Sequence, residues 1–299
     1  MLTWHAHENA VTALAFGPDG RFLVSAGGDN SVRMWDPLSG VEQARIVLRH
    51  SLAMVPDRAH PLRKIFLSCG GEHVAVHRER SGLIFVDRAA FRVFATQWAA
   101  TIVGPCLGPD GASVLGLVES PLMGMRKCVQ YSLADGSVAD LPRVVDWSAR
   151  AIAFAPDGSQ VAIGRQLWHW PSVDSSRGTN IDMKRYEPED LAFSADNQHL
   201  FALVGGKIVV YGLPGGLYRT KLKGHNGRIT AMALTPDGSR LWTASRDATV
   251  KCWDTHALTL DRTYTFQTGG LDCLAVSPDG NVAAVGSGQK GTITLWDLG

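Results

Sequence analysis

No apolar run in the sequence approaches the roughly 18 residues that a membrane-spanning helix needs, so no span is predicted. There is almost no net charge: 29 Lys and Arg stand against 28 Asp and Glu, giving +1. That balance argues against bulk electrostatic attachment to nucleic acid or to a membrane surface and leaves only local patches to consider. The five cysteines, Cys69, Cys106, Cys128, Cys252 and Cys273, are odd in number and form no CxxC pair. They read as free core thiols in a reducing, cytoplasmic setting. The opening MLTWHAHENA lacks the charged region and apolar stretch of a secretory signal. No convincing helix is visible, so the chain reads as all-β. What remains is an ordinary globular composition, 45% hydrophobic and 19% charged, with enough apolar residues for a sizeable core.

Five segments are built alike: ALAFGPDGRFLVSA (13–26), CLGPDGASVLGL (106–117), IAFAPDGSQVAIG (152–164), MALTPDGSRLWTA (232–244) and LAVSPDGNVAAVG (274–286). Each is a strand-length apolar run, then Pro-Asp-Gly, then a second apolar run. Pro presets φ for a turn, Asp can bond its own backbone and Gly supplies positive φ, so each unit predicts a β-hairpin. IFLSCGGEHVAV (65–76) and LAFSADNQHLFAL (191–203) carry weaker turns at the same place. The turn position that Pro takes in the five, held by Cys69 and Ala195 in the two weaker turns, falls at 18, 69, 109, 156, 195, 236 and 278, with gaps of 51, 40, 47, 39, 41 and 42. Counting on from 278 through the last residue to 18 gives 39, which matches the internal spacing. An open solenoid has no reason to obey that rule, whereas a closed ring of seven four-stranded units does.

A third strand follows each hairpin, and three of these end in Trp-Asp: SVRMWD (31–36), TVKCWD (249–254) and TITLWD (292–297). GLIFVD (82–87) and KIVVYG (207–212) are decayed versions of it. With period, turn and Trp-Asp ending together, the chain resembles the WD-repeat β-propeller family along essentially its whole length. The resemblance implies a seven-bladed β-propeller of four-stranded antiparallel blades, one domain over 1–299. It also implies that the N-terminal segment, MLTW at 1–4, supplies the missing outer strand of the last blade and closes the ring.

Two sets of residues look like chemistry. His7, Ser25, Asp29 and Trp35 in the first unit share their spacing with His225, Thr243, Asp247 and Trp253 in the sixth. The resemblance implies a hydrogen-bonded tetrad inside a blade, in which each buried polar group finds a partner. A catalytic site occurs once, whereas this set occurs twice, so no catalytic residues are assigned. Trp98 and Val145 take the His position in the third and fourth units, Arg80 the Asp position in the second, and Gln289 or Lys290 in the seventh. Those blades are expected to rely on apolar packing alone. His5 and His7 of WHAH share a strand face, but no further ligand cluster is visible, so no metal and no cofactor are expected. WHW (168–170) reads as core and blade packing.

Partner-facing residues are sought on the loops at one mouth of the ring. The turns between second and third strands carry Arg78, Arg80, Arg126, Lys127, Arg165, Lys207, Arg246 and Lys290, opposed only in part by Glu79, Asp29 and Glu119. They predict a mildly basic mouth suited to an acidic or phosphorylated peptide. ESPLMGMRK (119–127) places Leu122, Met123 and Met125 beside Arg126, and VVDWSAR (144–150) adds Trp147 and Arg150. The candidate partner-binding residues are Met123, Arg126, Trp147, Arg150, Arg228 and Arg246. The expected function is a non-catalytic protein-interaction scaffold, monomeric on its own, binding a protein or peptide and neither membrane nor nucleic acid. The alternative is a propeller hydrolase or lyase with a site at the channel mouth. It would need convergent carboxylates, histidines or a metal there, and the remaining His50, His60, His73, His77, His169, His199 and His256 fall at unrelated repeat positions.

Overall fold

Each Pro-Asp-Gly segment makes the same turn. The Gly amide donates to the carbonyl of the residue before Pro, over 2.8–3.0 Å at Gly20, Gly111, Gly158, Gly238 and Gly280. The Asp carboxylate accepts the amide two residues on, over 2.9–3.1 Å at Asp19, Asp110, Asp157, Asp237 and Asp279. Side chain and backbone together therefore fix where each hairpin reverses. In the fifth unit Asp196 and Asn197 do the same work, with Asn197 at φ 54° in the glycine's place.

The computed structural model describes residues 1–48, 61–79, 82–97, 102–119, 125–170, 178–183 and 187–298, with backbone only at 142–144. The strands form seven separate four-stranded antiparallel sheets, each a blade, and in six of them the strands neighbour one another in chain order. Blade one runs from Val11–Phe16 at the channel, through Leu23–Gly27 and Ser31–Trp35, to Glu42–Val47 at the rim. The inner strands of the next five blades are Leu62–Leu67, Val103–Leu107, Ile152–Phe154, Asp190–Phe193 and Ile229–Leu234. Blade seven contributes Leu271–Val276, Val282–Ser287 and Thr292–Asp297, and its outer strand is Leu2–His5. Leu2 stands opposite Leu295 and His5 opposite Thr292. Among the described residues there is no helix, and so none long and apolar enough to cross a membrane.

The core lies between blades. Leu23 and Trp35 pack against Ala284, Ile293 and Leu295 of blade seven. Val24 and Val32, on the opposite face of the same sheet, pack against Val74, Val76 and Ile84 of blade two. Because both faces are covered, Leu23–Gly27 is buried at every position, whereas the rim strand Glu42–Val47 is largely exposed. At one end of the ring the turns lean on each other. A Cβ at Gly71 would stand 3.0 Å from Pro18, and one at Gly238 would stand 2.3 Å from Ala195. The evenly spaced Pro positions of the sequence are thus neighbours around one rim.

Removing residues 1–4 would uncover the edge of Thr292–Asp297 and take away the Trp4 ring that lies 5.6 Å from Trp35. A marked drop in melting temperature is expected for that deletion, and an unchanged melting temperature would contradict this account of closure.

Candidate functional site

The residues that resemble a catalytic set point into the blades. In blade one the Trp35 indole Nε1 donates to Ser25 Oγ at 2.8 Å. Ser25 Oγ lies 2.7 Å from His7 Nε2, and His7 Nδ1 lies 3.0 Å from Asp29 Oδ1. Blade six repeats the chain: Trp253 Nε1 to Thr243 Oγ1 at 2.9 Å, Thr243 Oγ1 to His225 Nε2 at 2.8 Å, and His225 Nδ1 to Asp247 Oδ2 at 3.1 Å. An indole only donates and a carboxylate only accepts, so the direction follows. The hydroxyl accepts a hydrogen bond from the indole N–H and donates one to Nε2, and a neutral imidazole donates from Nδ1. Burial holds both imidazoles below their usual pKa, against the pull of Asp29 and Asp247. Burial alone would raise Asp29, but hydrogen bonds from Ser31 and the neighbouring His7 outweigh it and bring the carboxyl down to about 2. At Asp247 burial is likewise outweighed, by Thr249, the Asn226 amide and His225, and the carboxyl sits well below its ordinary range.

Ser31 and Thr249 belong to these networks, although the sequence reading does not single them out. Their hydroxyls donate to Asp29 Oδ1 at 2.7 Å and to Asp247 Oδ1 at 2.6 Å. The available signal is a hydroxyl residue two positions after the Asp, as in DNS (29–31) and DAT (247–249).

The blades without a tetrad do not rely on apolar packing alone. Arg126 donates from Nη1 to Ala149 O at 2.6 Å, and Arg78 from Nη2 to Leu48 O at 3.4 Å. His77 Nε2 lies 3.1 Å from Ile102 O, and Ser287 Oγ donates to Thr268 O at 2.8 Å. Each reaches a carbonyl on a segment linking two blades, where a buried acceptor needs a donor. Blade seven keeps Trp296 but has Val285 where Ser25 and Thr243 stand, and the Trp296 Nε1 has no acceptor among the described residues.

The partner-facing candidates divide. Arg150, Arg228 and Arg246 line one opening of about 540 Å³ at the end of the ring away from the Pro-Asp-Gly turns, together with Arg63 and Lys64. Arg126 is only 9% exposed, so a turn cation expected at the surface is a buried one. It stands on the third strand Met125–Ser132, and its guanidinium lies 4.8 Å from the Trp147 ring centroid. Arg78, another cation expected at the surface, is buried beneath the same rim at 2% exposure. Trp147 is 44% exposed. Met125 is half-buried, whereas Leu122 and Met123 lie outside the described residues, as do Arg80 and Trp98.

The mouth is also less basic than the turn cations suggest. Carboxylates enter it, Glu189, Asp190 and Asp272 at the starts of inner strands and Glu79 just after the second strand His73–Arg78, and they pair: Arg63 with Glu79 at 2.8 Å, Lys64 with Asp190 at 2.9 Å, Arg228 with Glu189 at 2.5 Å and Arg246 with Asp272 at 2.6 Å. The Lys64–Asp190 pair joins blades two and five across the channel. Burial would lower the Lys64 ammonium, but Asp190 outweighs it and the pKa is raised. Burial pushes the Asp272 carboxyl up, against the pull of Arg246 and Arg63. Among the described residues no three His, Cys, Asp or Glu side chains stand in a metal-ligating group.

The family model described as WD domain, G-beta repeat matches residues 1–36, 216–254 and 259–297. The chain is 28% identical over 162 residues to Telomerase protein component 1 of Mus musculus, covering 50% of this chain and 6% of the relative. It is 29% identical over 111 residues to Protein groucho of Drosophila melanogaster, covering 35% and 15%. Actin-interacting protein 1 of Caenorhabditis elegans is 20% identical over 260 residues, covering 84% and 40%. The chain therefore spans less than half the length of each of these relatives.

Replacing Asp247 with Ala leaves the imidazole and Thr249 without their acceptor, and a loss of about 1–3 kcal/mol of stability is expected from urea unfolding. The pH dependence has a definite sign. Asp29 and Asp247 have folded pKa values below the unfolded 3.8, so they stabilise above that pH and lose the effect as it falls. His7 and His225 have folded values below 6.5, so the unfolded chain takes up protons first as pH falls through 6.5. Both contributions fall with acid, and urea midpoints at about pH 7, 5 and 3 should decrease in that order; a midpoint that rises on acidification contradicts the assignment.

Proposed function

This chain belongs to the WD-repeat β-propellers, and from that premise we propose that it is a non-catalytic interaction scaffold that docks a protein or peptide at the channel mouth. The observation that carries the reading is the state of the mouth's ionisable groups. Glu79, Glu189, Asp190 and Asp272 each face a cation at ion-pair distance. A hydrolase or lyase needs a carboxylate or imidazole poised over substrate. Here the mouth carboxylates are engaged, and the two Asp–His pairs are turned into blades one and six. Exposed Arg228 and Arg246 stand on separate loops around one rim, an arrangement that suits recognition by many shallow contacts. A relative named for its interaction with actin supports a binding role in kind. The reading places the chain in the cytoplasm as a monomer, with its five cysteines free.

The test is capture of partners by the purified chain compared with an Arg228→Glu, Arg246→Glu variant whose melting temperature is unchanged. Loss of the captured partner is expected. Equal retention by both proteins would sink the mouth assignment, and turnover of simple ester, lactone or phosphate substrates would sink the non-catalytic reading.

A further inference from the structure

Among the described residues, the cations that line the opening are paired with carboxylates except in one sector. Arg63, Lys64, Arg228 and Arg246 each have a carboxylate partner, but exposed Arg150 makes no ion pair among the described residues. Nor does Arg126 beside it, which is nine-tenths buried and whose Nε has no hydrogen-bond partner. Two cations without an ion pair at contact distance among the described residues therefore sit together between blades three and four. Their closeness has a cost, since burial and the neighbouring Arg150 both lower the Arg126 pKa.

The segment carrying Arg150 is held from several sides. Arg126 donates to Ala149 O from below. The Ala149 amide donates to Asp146 O at 3.1 Å, and the Ser148 hydroxyl reaches both Asp146 and Glu187. Gly104, at φ +57°, lets blade three approach so closely that a Cβ there would stand 2.2 Å from Arg150 O. Trp147 rests one side of its ring on the Arg126 guanidinium and keeps 44% of its surface open. An aromatic face and a free cation are thus presented by a loop already ordered, so little entropy remains to be lost on binding.

We propose that the Trp147–Arg150 loop, backed by Arg126, docks a linear segment of a partner protein that carries an aspartate or glutamate close to a bulky apolar side chain. This rests on the reading of the mouth as the partner-binding face and specifies its chemistry. The carboxylate pairs with Arg150 and compensates the field of Arg126, while the apolar side chain covers the open face of Trp147. A polyanion fits less well. Glu119 and Asp146 act electrostatically on Arg126, and Glu187 holds Ser148, so a run of phosphates would meet carboxylates beside the two cations.

The probe is a displayed library of random peptides about a dozen residues long, selected on the full chain. Recovered peptides are then synthesised and titrated by fluorescence anisotropy. Recovered sequences should place Asp or Glu within about three residues of Trp, Phe or Leu. Trp147→Ala and Arg150→Glu, both changes at exposed positions, should each weaken binding by about tenfold or more at unchanged melting temperature. Gly104→Ala, which alters no charge, should weaken it as well. Peptides without a carboxylate overturn the proposal, as does binding only to anionic phosphatidylserine vesicles. Peptides weakened by Arg228→Glu and Arg246→Glu but not by Arg150→Glu overturn this site and leave the mouth standing. Peptides bound equally by every variant overturn both.

Discussion

A four-stranded sheet with apolar side chains on both faces needs a neighbour on each side, and the rest of this structure depends on meeting that need at the last position. Leu2–His5 meets it by pairing with Thr292–Asp297. The pairing makes blade seven a full sheet, and blade seven then covers Leu23 and Trp35 of blade one. Without it one sheet edge and two blade faces would lie open, a condition repeat proteins otherwise answer with dedicated caps. The seven turns at the far rim follow from the same closure, since each leans on its neighbour only if the circle is complete.

Closure also decides what the polar residues can do. Packing blades side by side buries the segments that link them, and their backbone groups must be satisfied. Blades one and six meet part of that demand with His, a hydroxyl, Asp and Trp. Elsewhere Arg78, Arg126, His77 and Ser287 reach linker carbonyls by other routes. The groups that most resemble catalytic machinery are therefore spent on the interior. The proposed recognition therefore falls to the linkers themselves, whose outward side chains are positioned by those same buried contacts. Arg126 shows the connection directly, because one side chain satisfies Ala149 O and lies over the ring of Trp147.

Local chemistry was legible in the sequence and long-range pairing was not. Pro-Asp-Gly specifies a turn within three residues, so hairpins, period and blade number could all be read, and identical spacing from His7 to Trp35 and from His225 to Trp253 marked the two networks. Ser31 and Thr249 were within reach of the same reasoning, two residues after an Asp. The ion pairs of the mouth were not, because Lys64 and Asp190 are 126 residues apart and meet only when blades two and five face each other across the channel. The burial of Arg126 is hidden from the sequence for a related reason. It stands on a strand that continues through what reads as a turn, and strand alternation sends its side chain into the seam between blades. Glu189, Asp190 and Asp272 stand where inner strands begin, and that position is the signal that would have shown the mouth to be nearly balanced.

The central claim is that binding chemistry is confined to the mouth and concentrated between blades three and four, while the tetrads and the turn rim are architecture. Hydrogen–deuterium exchange on the full chain, with and without a saturating selected peptide, tests it most directly. The account predicts new amide protection in 103–107 and 146–151, with the turns at 18–21 and 236–239 unchanged. Protection at those turns, with 146–151 unaffected, would contradict it.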